Sequence, residues 1–121
     1  MIKNNLLAEL SKNFALRIIK LHKFLREERQ EYVISTQVYK SGTSIGANIA
    51  ESIYTQTKPD FITKLNIALK EAGETDYWLD LLFLSETISQ KEHDSLKNDL
   101  NIIIGTLIKI IKKARENPNK E

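Results

Sequence analysis

Apolar residues recur along the chain at alternating steps of three and four, with polar and charged residues between them. Each residue of an α-helix advances about 100° around the axis, so this spacing gathers the apolar side chains into one stripe per helix. Four stripes follow one another, formed by Leu7, Leu10, Phe14, Ile18, Leu21 and Leu25; Ile34, Val38, Ile45, Ile49 and Ile53; Phe61, Leu65, Ala68, Ala72, Leu79 and Phe83; and Leu96, Leu100, Ile103, Leu107, Ile110 and Ala114. The pattern predicts four amphipathic helices, at about 5–29, 34–54, 58–86 and 90–115.

Helix-start signals support two of these boundaries. Thr57 and Asp60 have the spacing of a capping box around Pro59, and Ser89 and Glu92 repeat that spacing. The isoleucine-rich segment "NIIIGTLIKII" favours a strand by composition, but the helical spacing continues through it and a lone strand would have no partner. Four helices of roughly 20 residues with short connections predict an all-α fold. We expect an antiparallel up-and-down four-helix bundle that occupies residues 1–121 as a single domain.

Composition narrows the class of protein. Apolar residues make up 41% of the chain and charged residues 28%, the balance of an ordinary soluble globular domain. The absence of cysteine excludes disulfides, thiolate zinc sites and thiol nucleophiles. The start, "MIKNNLLAEL", lacks the apolar core of a signal peptide, and no apolar run approaches the roughly 20 residues of a membrane span. We expect a cytoplasmic protein that has no membrane partner.

The sequence offers little catalytic chemistry. His22 and His93 are the two histidines, and neither has a metal ligand three or four residues later. No Ser-His-Asp set can be placed. Glu51, Glu71 and Glu74 could converge and raise one another's pKa, but a structural role for these carboxylates is the preferred interpretation. The prediction is a protein that is not an enzyme and binds neither a metal nor another cofactor.

The segment from Tyr39 to Ser52, "YKSGTSIGANIAES", combines two glycines with several hydroxyl side chains. A phosphate-binding loop of the Walker type requires a lysine after the glycines and a preceding strand, and neither is found here. On a helical wheel, Gly42, Gly46 and Ala50 lie on one flank of the buried stripe. Small residues four apart allow a neighbouring backbone to come close. The segment therefore predicts close helix packing.

The opposite flank of the same helix is polar. Gln37, Ser44, Asn48 and Glu51 lie there, so an amide, a hydroxyl and a carboxylate can hydrogen-bond to one another or to a partner helix. A structural hydrogen-bond network and a binding role both remain open for this seam.

Helices three and four carry more apolar residues than one core stripe requires. On helix three, Tyr77, Leu81 and Leu84 form a second stripe that faces away from the core stripe. Helix four is widened in the same way by Ile102, Ile104, Ile108 and Ile111. A monomer would expose these side chains, so the pattern predicts a homo-oligomer. Trp78 lies between the two stripes of helix three, either as a rim aromatic or as an interface anchor, and Glu71 is a suitable partner for its indole N–H.

Charge is unevenly distributed although the formal net charge is only +2. The first thirty residues hold seven Lys/Arg against three Asp/Glu, whereas residues 61–90 hold two against five. On helix one, Lys12, Lys20, Lys23 and Arg26 fall within a sector of roughly 120°. Such a face predicts sequence-independent binding of RNA through release of counterions. No aromatic residue of helix one lies in this sector, which argues against recognition of single strands by base stacking.

A protein partner is the alternative. The acidic third helix suits a basic protein such as a polymerase, and the oligomer would then serve as a scaffold without touching nucleic acid. The two hypotheses differ in salt dependence, because RNA binding weakens steeply with salt whereas a mainly apolar protein interface does not.

Two segments, "SGTSIGANIAES" and "FITKLNIALKEAGETDYWLDLL", resemble the signature stretches of bacterial four-helix-bundle proteins encoded within intervening sequences of 23S ribosomal RNA genes. They are also similar to the accessory variability proteins of diversity-generating retroelements. The matching positions are Ser41, Ser44, Asn48, Ile49, Ala50 and Glu51, then Ala68, Glu71, Glu74, Tyr77 and Trp78. Lys40 and Ser52 stand where arginine and glycine are frequent. The resemblance implies a homopentameric ring, a mostly undefined role and, from the retroelement branch, nucleic-acid binding.

Overall fold

Four helices make up most of the computed structural model, which describes residues 5–116. They are α1 (Asn5–Glu28), α2 (Val33–Ser52), α3 (Lys58–Leu84) and α4 (Gln90–Glu116). No strand occurs within residues 5–116, and "NIIIGTLIKII" lies inside α4. The predicted all-α architecture of four helices is thus confirmed. Both α2 and α3 end two residues earlier than predicted.

Each helix packs on two neighbours, in the cyclic order α1, α2, α3, α4. The α1–α2 side of the bundle is therefore opposite the α3–α4 side. Between the helices lies one apolar core, whose largest fully buried side chains are Phe14, Leu7, Ile18, Leu25, Ile45, Ile49, Leu65, Leu79, Leu82, Leu100, Ile103 and Leu107. Among the described helices, none has the length and apolar character needed to cross a membrane.

The burial of some apolar residues differs from the prediction. Ile53 was expected in the core but is largely exposed, because α2 ends at Ser52 and the chain turns away. Leu82 was not expected in the core, yet it is fully buried. Ile111 was predicted to face outward but is also buried. It lies four residues after Leu107, about one helical turn along the same face, so it belongs to the core stripe of α4.

Side chains cap the starts of α3 and α4 as predicted. The backbone N–H of Asp60 donates to Thr57 Oγ1 at 3.2 Å, and Pro59 lies in the first turn of α3. At the start of α4 the bonds are reciprocal: Ser89 N donates to Glu92 Oε1 at 2.9 Å, and Glu92 N donates to Ser89 Oγ at 3.1 Å. These bonds satisfy backbone donors that the first helical turn leaves unpaired.

The cap of α2 comes from an unexpected residue. Glu31 lies before the helix and accepts two hydrogen bonds, from Ile34 N at 3.0 Å and from Ser35 N at 2.7 Å. Gln30, just before it, has φ 50°, the left-handed conformation that turns the chain after α1. This turn fixes the position of Tyr32 beside the end of α1.

Glycine permits the close contact of α2 with α1. A Cβ atom on Gly42 would lie 2.8 Å from Ile18 Cγ1, and one on Gly46 would lie 3.4 Å from the carbonyl oxygen of Ser11. The predicted close packing is present at these two positions. At Ala50 the prediction is wrong, since this residue is exposed. Each step of four residues rotates about 40° around the helix, so the row of small residues leaves the contact after two steps.

Candidate nucleic-acid interface

The basic face of α1 consists of Lys12, Lys20, Lys23 and Arg26, all of them exposed. Within residues 5–116, none of these four cations forms a salt bridge. Arg17 on the same helix behaves differently, because it binds Asp99 Oδ2 on α4 at 2.7 Å. The four cations are therefore free to bind an external anion without breaking a salt bridge of the described chain.

The basic face has two edges. Arg26 lies at the edge next to α2, where its Cζ is 4.9 Å from the centroid of the Tyr32 ring. Lys20 lies at the other edge and lines a groove between α1 and α4 with Phe24 and Glu92. By the 100° step of the helix, Lys12 and Lys23 occupy the ridge between these edges. Leu16 is also exposed on this ridge, so the face is not purely polar.

Aromatic rings from α2 lie beside the basic face. Besides the contact of Arg26 with Tyr32, the rings of His22 and Tyr39 have centroids 4.6 Å apart and are tilted by 36°. Helix one by itself carries no aromatic residue in the basic sector, but the packing of α2 against it supplies two. Tyr32 directly precedes α2 and Tyr39 lies seven residues later on the helix, so the two rings are on the same side. That spacing was visible in the sequence, whereas their place beside α1 was not.

The predicted polar seam is not a mutual network. Ser44 Oγ donates to the carbonyl of Lys40 at 2.6 Å, and Asn48 Nδ2 donates to the carbonyl of Ser44 at 2.8 Å. Both bonds return to the backbone one turn earlier, which is the nearest acceptor for a polar side chain on a helix. Ser44 and Asn48 thus satisfy themselves within α2.

The other two motif residues of α2 join it to α3. Ser41 is buried, and its Oγ accepts a hydrogen bond of 2.8 Å from Thr75 Oγ1. Glu51 Oε1 is 2.6 Å from Lys64 Nζ, in a pair that is partly exposed to solvent. Ser41 and Glu51 therefore have structural partners on α3.

On α3, the indole of Trp78 uses a different carboxylate from the expected one. Its Nε1–H donates to Glu74 Oε2 at 3.2 Å. Glu74 lies one helical turn before Trp78, whereas Glu71 lies almost two turns before it. The nearer carboxylate therefore accepts the hydrogen bond. The ring of Tyr77 meets Trp78 edge-on, at 5.2 Å between centroids. Because Glu51 and Glu74 pair with Lys64 and Trp78, these contacts do not form the convergent carboxylate group considered from the sequence.

A cluster of charged residues joins α3 to α4. Lys97 Nζ contacts both Asp76 and Asp80, and His93 Nε2 lies 2.8 Å from Asp80 Oδ1. The His93 ring stacks on Phe83 at 4.7 Å between centroids. The hydrogen bond from His93 holds the pKa of Asp80 below its usual value. Partial burial opposes the charge of Lys97, but its hydrogen bonds to the two aspartates raise its pKa overall.

The lowered pKa of Asp80 makes a prediction about acid stability. Its pairing stabilises the fold above the unfolded-state pKa of about 3.9, and this contribution is lost as pH falls through the lower folded-state value. The raised pKa of Lys97 keeps its contribution intact up to about pH 10.4. Asp80→Asn should therefore lower the free energy of unfolding at pH 6 by up to about 1 kcal/mol.

Urea denaturation at pH 6 and at pH 3 checks this expectation. The gap between Asp80→Asn and the unmodified protein should narrow at the lower pH. Glu27→Gln removes an exposed carboxylate that forms no salt bridge within the described residues, so it should leave stability unchanged at both pH values. A gap for Asp80→Asn that is constant between the two pH values would contradict the assignment.

The predicted outer stripes are partly exposed. Tyr77 and Leu84 expose 56% and 72% of their surface, and Ile108 exposes 49%. Leu81 and Ile104 are half-buried within the protomer, and Ile104 packs against the core. Ile102 is exposed as expected. The α3–α4 side thus presents apolar side chains to solvent.

Comparison with known proteins now gives the family. The family model described as 23S rRNA-intervening sequence protein matches residues 3–109. A crystal structure from Bacteroides thetaiotaomicron VPI-5482, described as a protein with unknown function from the S23 ribosomal protein family, is 51% identical to this chain. It superposes with a TM-score of 0.90, and the match covers 92% of this chain and 99% of that one.

No curated protein matches the chain. The family match nevertheless spans most of the sequence, including the glycine-containing segment of α2 and nearly all of α4. The chain belongs to the 23S rRNA-intervening sequence protein family.

Proposed function

We propose that this protein is a non-catalytic, oligomeric scaffold that binds RNA through the basic face of α1. The observation that carries the proposal is the set of four exposed cations on that face, none of which pairs with a carboxylate of residues 5–116. Surface cations without partners attract phosphate, and the counterions released from the nucleic acid drive binding. The name of the family links its members to ribosomal RNA genes, which agrees with an RNA ligand.

Assembly of several protomers strengthens this interface. Tyr77, Leu84 and Ile108 expose apolar surface on the α3–α4 side, which is the side that a second copy would cover. The family resemblance suggests five protomers in a ring. A ring of five presents the basic face five times, and simultaneous contacts with one RNA raise the overall affinity well above that of one protomer.

The competing proposal, a scaffold for a basic protein, has less support. It depends on the acidic surface of α3, but Asp76 and Asp80 pair with Lys97, and Glu74 accepts the indole N–H of Trp78. These carboxylates already have partners in the protomer. A basic protein would have to displace Lys97 and Trp78 from these carboxylates, or bind a surface whose negative electrostatic potential is weakened by Lys97.

Two measurements test the proposal together. Native mass spectrometry of protein purified without nuclease should give an oligomer, five subunits by our proposal, with added mass from RNA. The affinity for a single-stranded RNA should then fall steeply with salt. Four phosphate contacts per protomer correspond to a loss of RNA affinity of roughly 50-fold between about 50 and 200 mM salt. A monomer would refute the assembly, and RNA affinity that is absent or insensitive to salt would refute the ligand.

A further inference from the structure

We infer that the surface where α2 packs against α1 binds single-stranded RNA by stacking its bases on Tyr32 and Tyr39 while the cations of α1 hold its phosphates. This inference rests on the proposed function and adds the form of the ligand and the residues that recognise it. Tyr32 and Tyr39 expose 50% and 39% of their surface. Arg26 packs on Tyr32 and His22 on Tyr39, and the exposed part of each ring is open to solvent.

The rings are held in place by contacts within the protomer. His22 Nδ1 lies 3.1 Å from the carbonyl oxygen of Ser35. A carbonyl oxygen only accepts, so Nδ1 carries the proton and the imidazole is fixed beside Tyr39. The double hydrogen bond of Glu31 fixes the backbone at the start of α2, next to Tyr32. Rings whose positions are already restrained lose less freedom when a base stacks on them.

Each of the two rings has a basic side chain next to it. The guanidinium of Arg26 packs on Tyr32. Lys40 follows Tyr39 directly, is exposed and forms no salt bridge within the described part of the chain. A phosphate beside either stacked base therefore has a cation nearby to bind.

The dimensions suit a short single strand. Tyr32 and Tyr39 are about 10 Å apart along α2, which corresponds to roughly three nucleotides at the rise of about 3.4 Å of a stacked strand. Along α1, Lys12 and Arg26 are about 21 Å apart, or roughly six nucleotides. Bases can reach the rings only when they are unpaired, so a duplex should gain nothing from the two tyrosines.

Tyr32 and Tyr39 lie on the other side of the bundle from the exposed apolar residues of α3 and α4. The cyclic order of the helices places the α1–α2 side opposite to Tyr77, Leu84 and Ile108. A closed ring of five uses two different surfaces of each protomer. The stacking site therefore requires that the second surface leaves both tyrosines uncovered.

Fluorescence anisotropy with a labelled 12-nucleotide RNA and with the blunt duplex of the same sequence tests the inference. The double variant Tyr32→Leu/Tyr39→Leu keeps apolar bulk but removes both rings. It should weaken binding of the single strand by at least about 25-fold, since loss of one stacked base costs roughly five- to 160-fold. The affinity of this variant for the duplex should stay within about twofold of that of the unmodified protein. Tyr32→Phe/Tyr39→Phe should bind the single strand like the unmodified protein.

Tyr54→Leu is the matched control, because Tyr54 is exposed but lies beyond the end of α2. It should leave both affinities unchanged. If the unmodified protein binds neither RNA, the proposed function itself is wrong. If RNA binds and the double leucine variant keeps full affinity for the single strand, the α1 face still binds RNA but the stacking site is wrong.

A second measurement uses the unmodified protein and so does not depend on the folding of any variant. A single-stranded RNA that contains 5-bromouridine is cross-linked by ultraviolet light, and the modified peptides are identified by mass spectrometry. Cross-links at Tyr32 or Tyr39 are expected. Cross-links confined to α3 and α4 would overturn the inference.

Discussion

Replacing Lys12 and Lys23 by glutamate is expected to weaken RNA binding by on the order of 100-fold. Both lysines lie on the ridge of the basic face, are exposed and have no salt bridge within residues 5–116. The exchange removes two phosphate contacts per protomer and places two negative charges beside the phosphate track, so affinity and salt dependence fall together. The magnitude of the negative slope of log affinity against log salt should decrease by at least about 1.4 for a single strand, so the dependence becomes shallower.

A matched variant separates this local effect from net charge. Lys91→Glu/Lys109→Glu changes the formal charge by the same amount, and both lysines are exposed on the outer side of α4. RNA affinity should change by no more than about threefold in this control. Equal losses in the two double variants would mean that RNA responds to overall charge. Unchanged affinity in Lys12→Glu/Lys23→Glu would remove the α1 face from consideration.

Gly42→Leu should destabilise the bundle by about 3 kcal/mol or more, a large part of the 5–15 kcal/mol that stabilises a typical domain. Even a Cβ at this position would lie 2.8 Å from Ile18 Cγ1. Ile18 is fully buried, and its branched side chain has few alternative rotamers, so it cannot move aside. The helices must separate, and the measurement is urea denaturation at a fixed protomer concentration.

Gly73→Leu serves as the control for helix propensity. No heavy atom lies within 4 Å of a Cβ built on Gly73, so leucine meets no clash within the protomer. The substitution should stabilise the helix by roughly 0.5–1 kcal/mol, because leucine is a better helix former than glycine. Equal stability of Gly42→Leu and the unmodified protein would show that the contact of α1 with α2 is looser than described.

Local sequence patterns predicted the helices because helix formation and capping depend on residues within one or two turns. The capping box of Ser89 and Glu92 is an example, and both of its hydrogen bonds are present. Ile111 was misplaced because neighbouring isoleucines make the apolar arc of α4 wide. Periodicity alone does not show where such an arc meets the core.

The candidate site was harder to predict because it combines two helices. The cations of α1 were found as a sector on one wheel, but Tyr32 precedes α2 and Tyr39 lies on it, so both reach that sector only through tertiary packing. A wheel of one helix cannot show such a neighbour. The same limit applied to Ser41, whose partner Thr75 lies 34 residues away. Where the partner was local, as for Trp78, the error was the choice of Glu71 instead of Glu74.

The hydrogen bond between Ser41 and Thr75 also sets the relative height of α2 and α3. Apolar packing also resists sliding, but it requires no particular partner atom. A displacement of one turn, about 5.4 Å, would carry the buried Ser41 hydroxyl away from Thr75, and the loss of this partner would cost about 1–3 kcal/mol. The hydroxyl pair, together with the Glu51–Lys64 ion pair, thus selects one vertical alignment of the two helices.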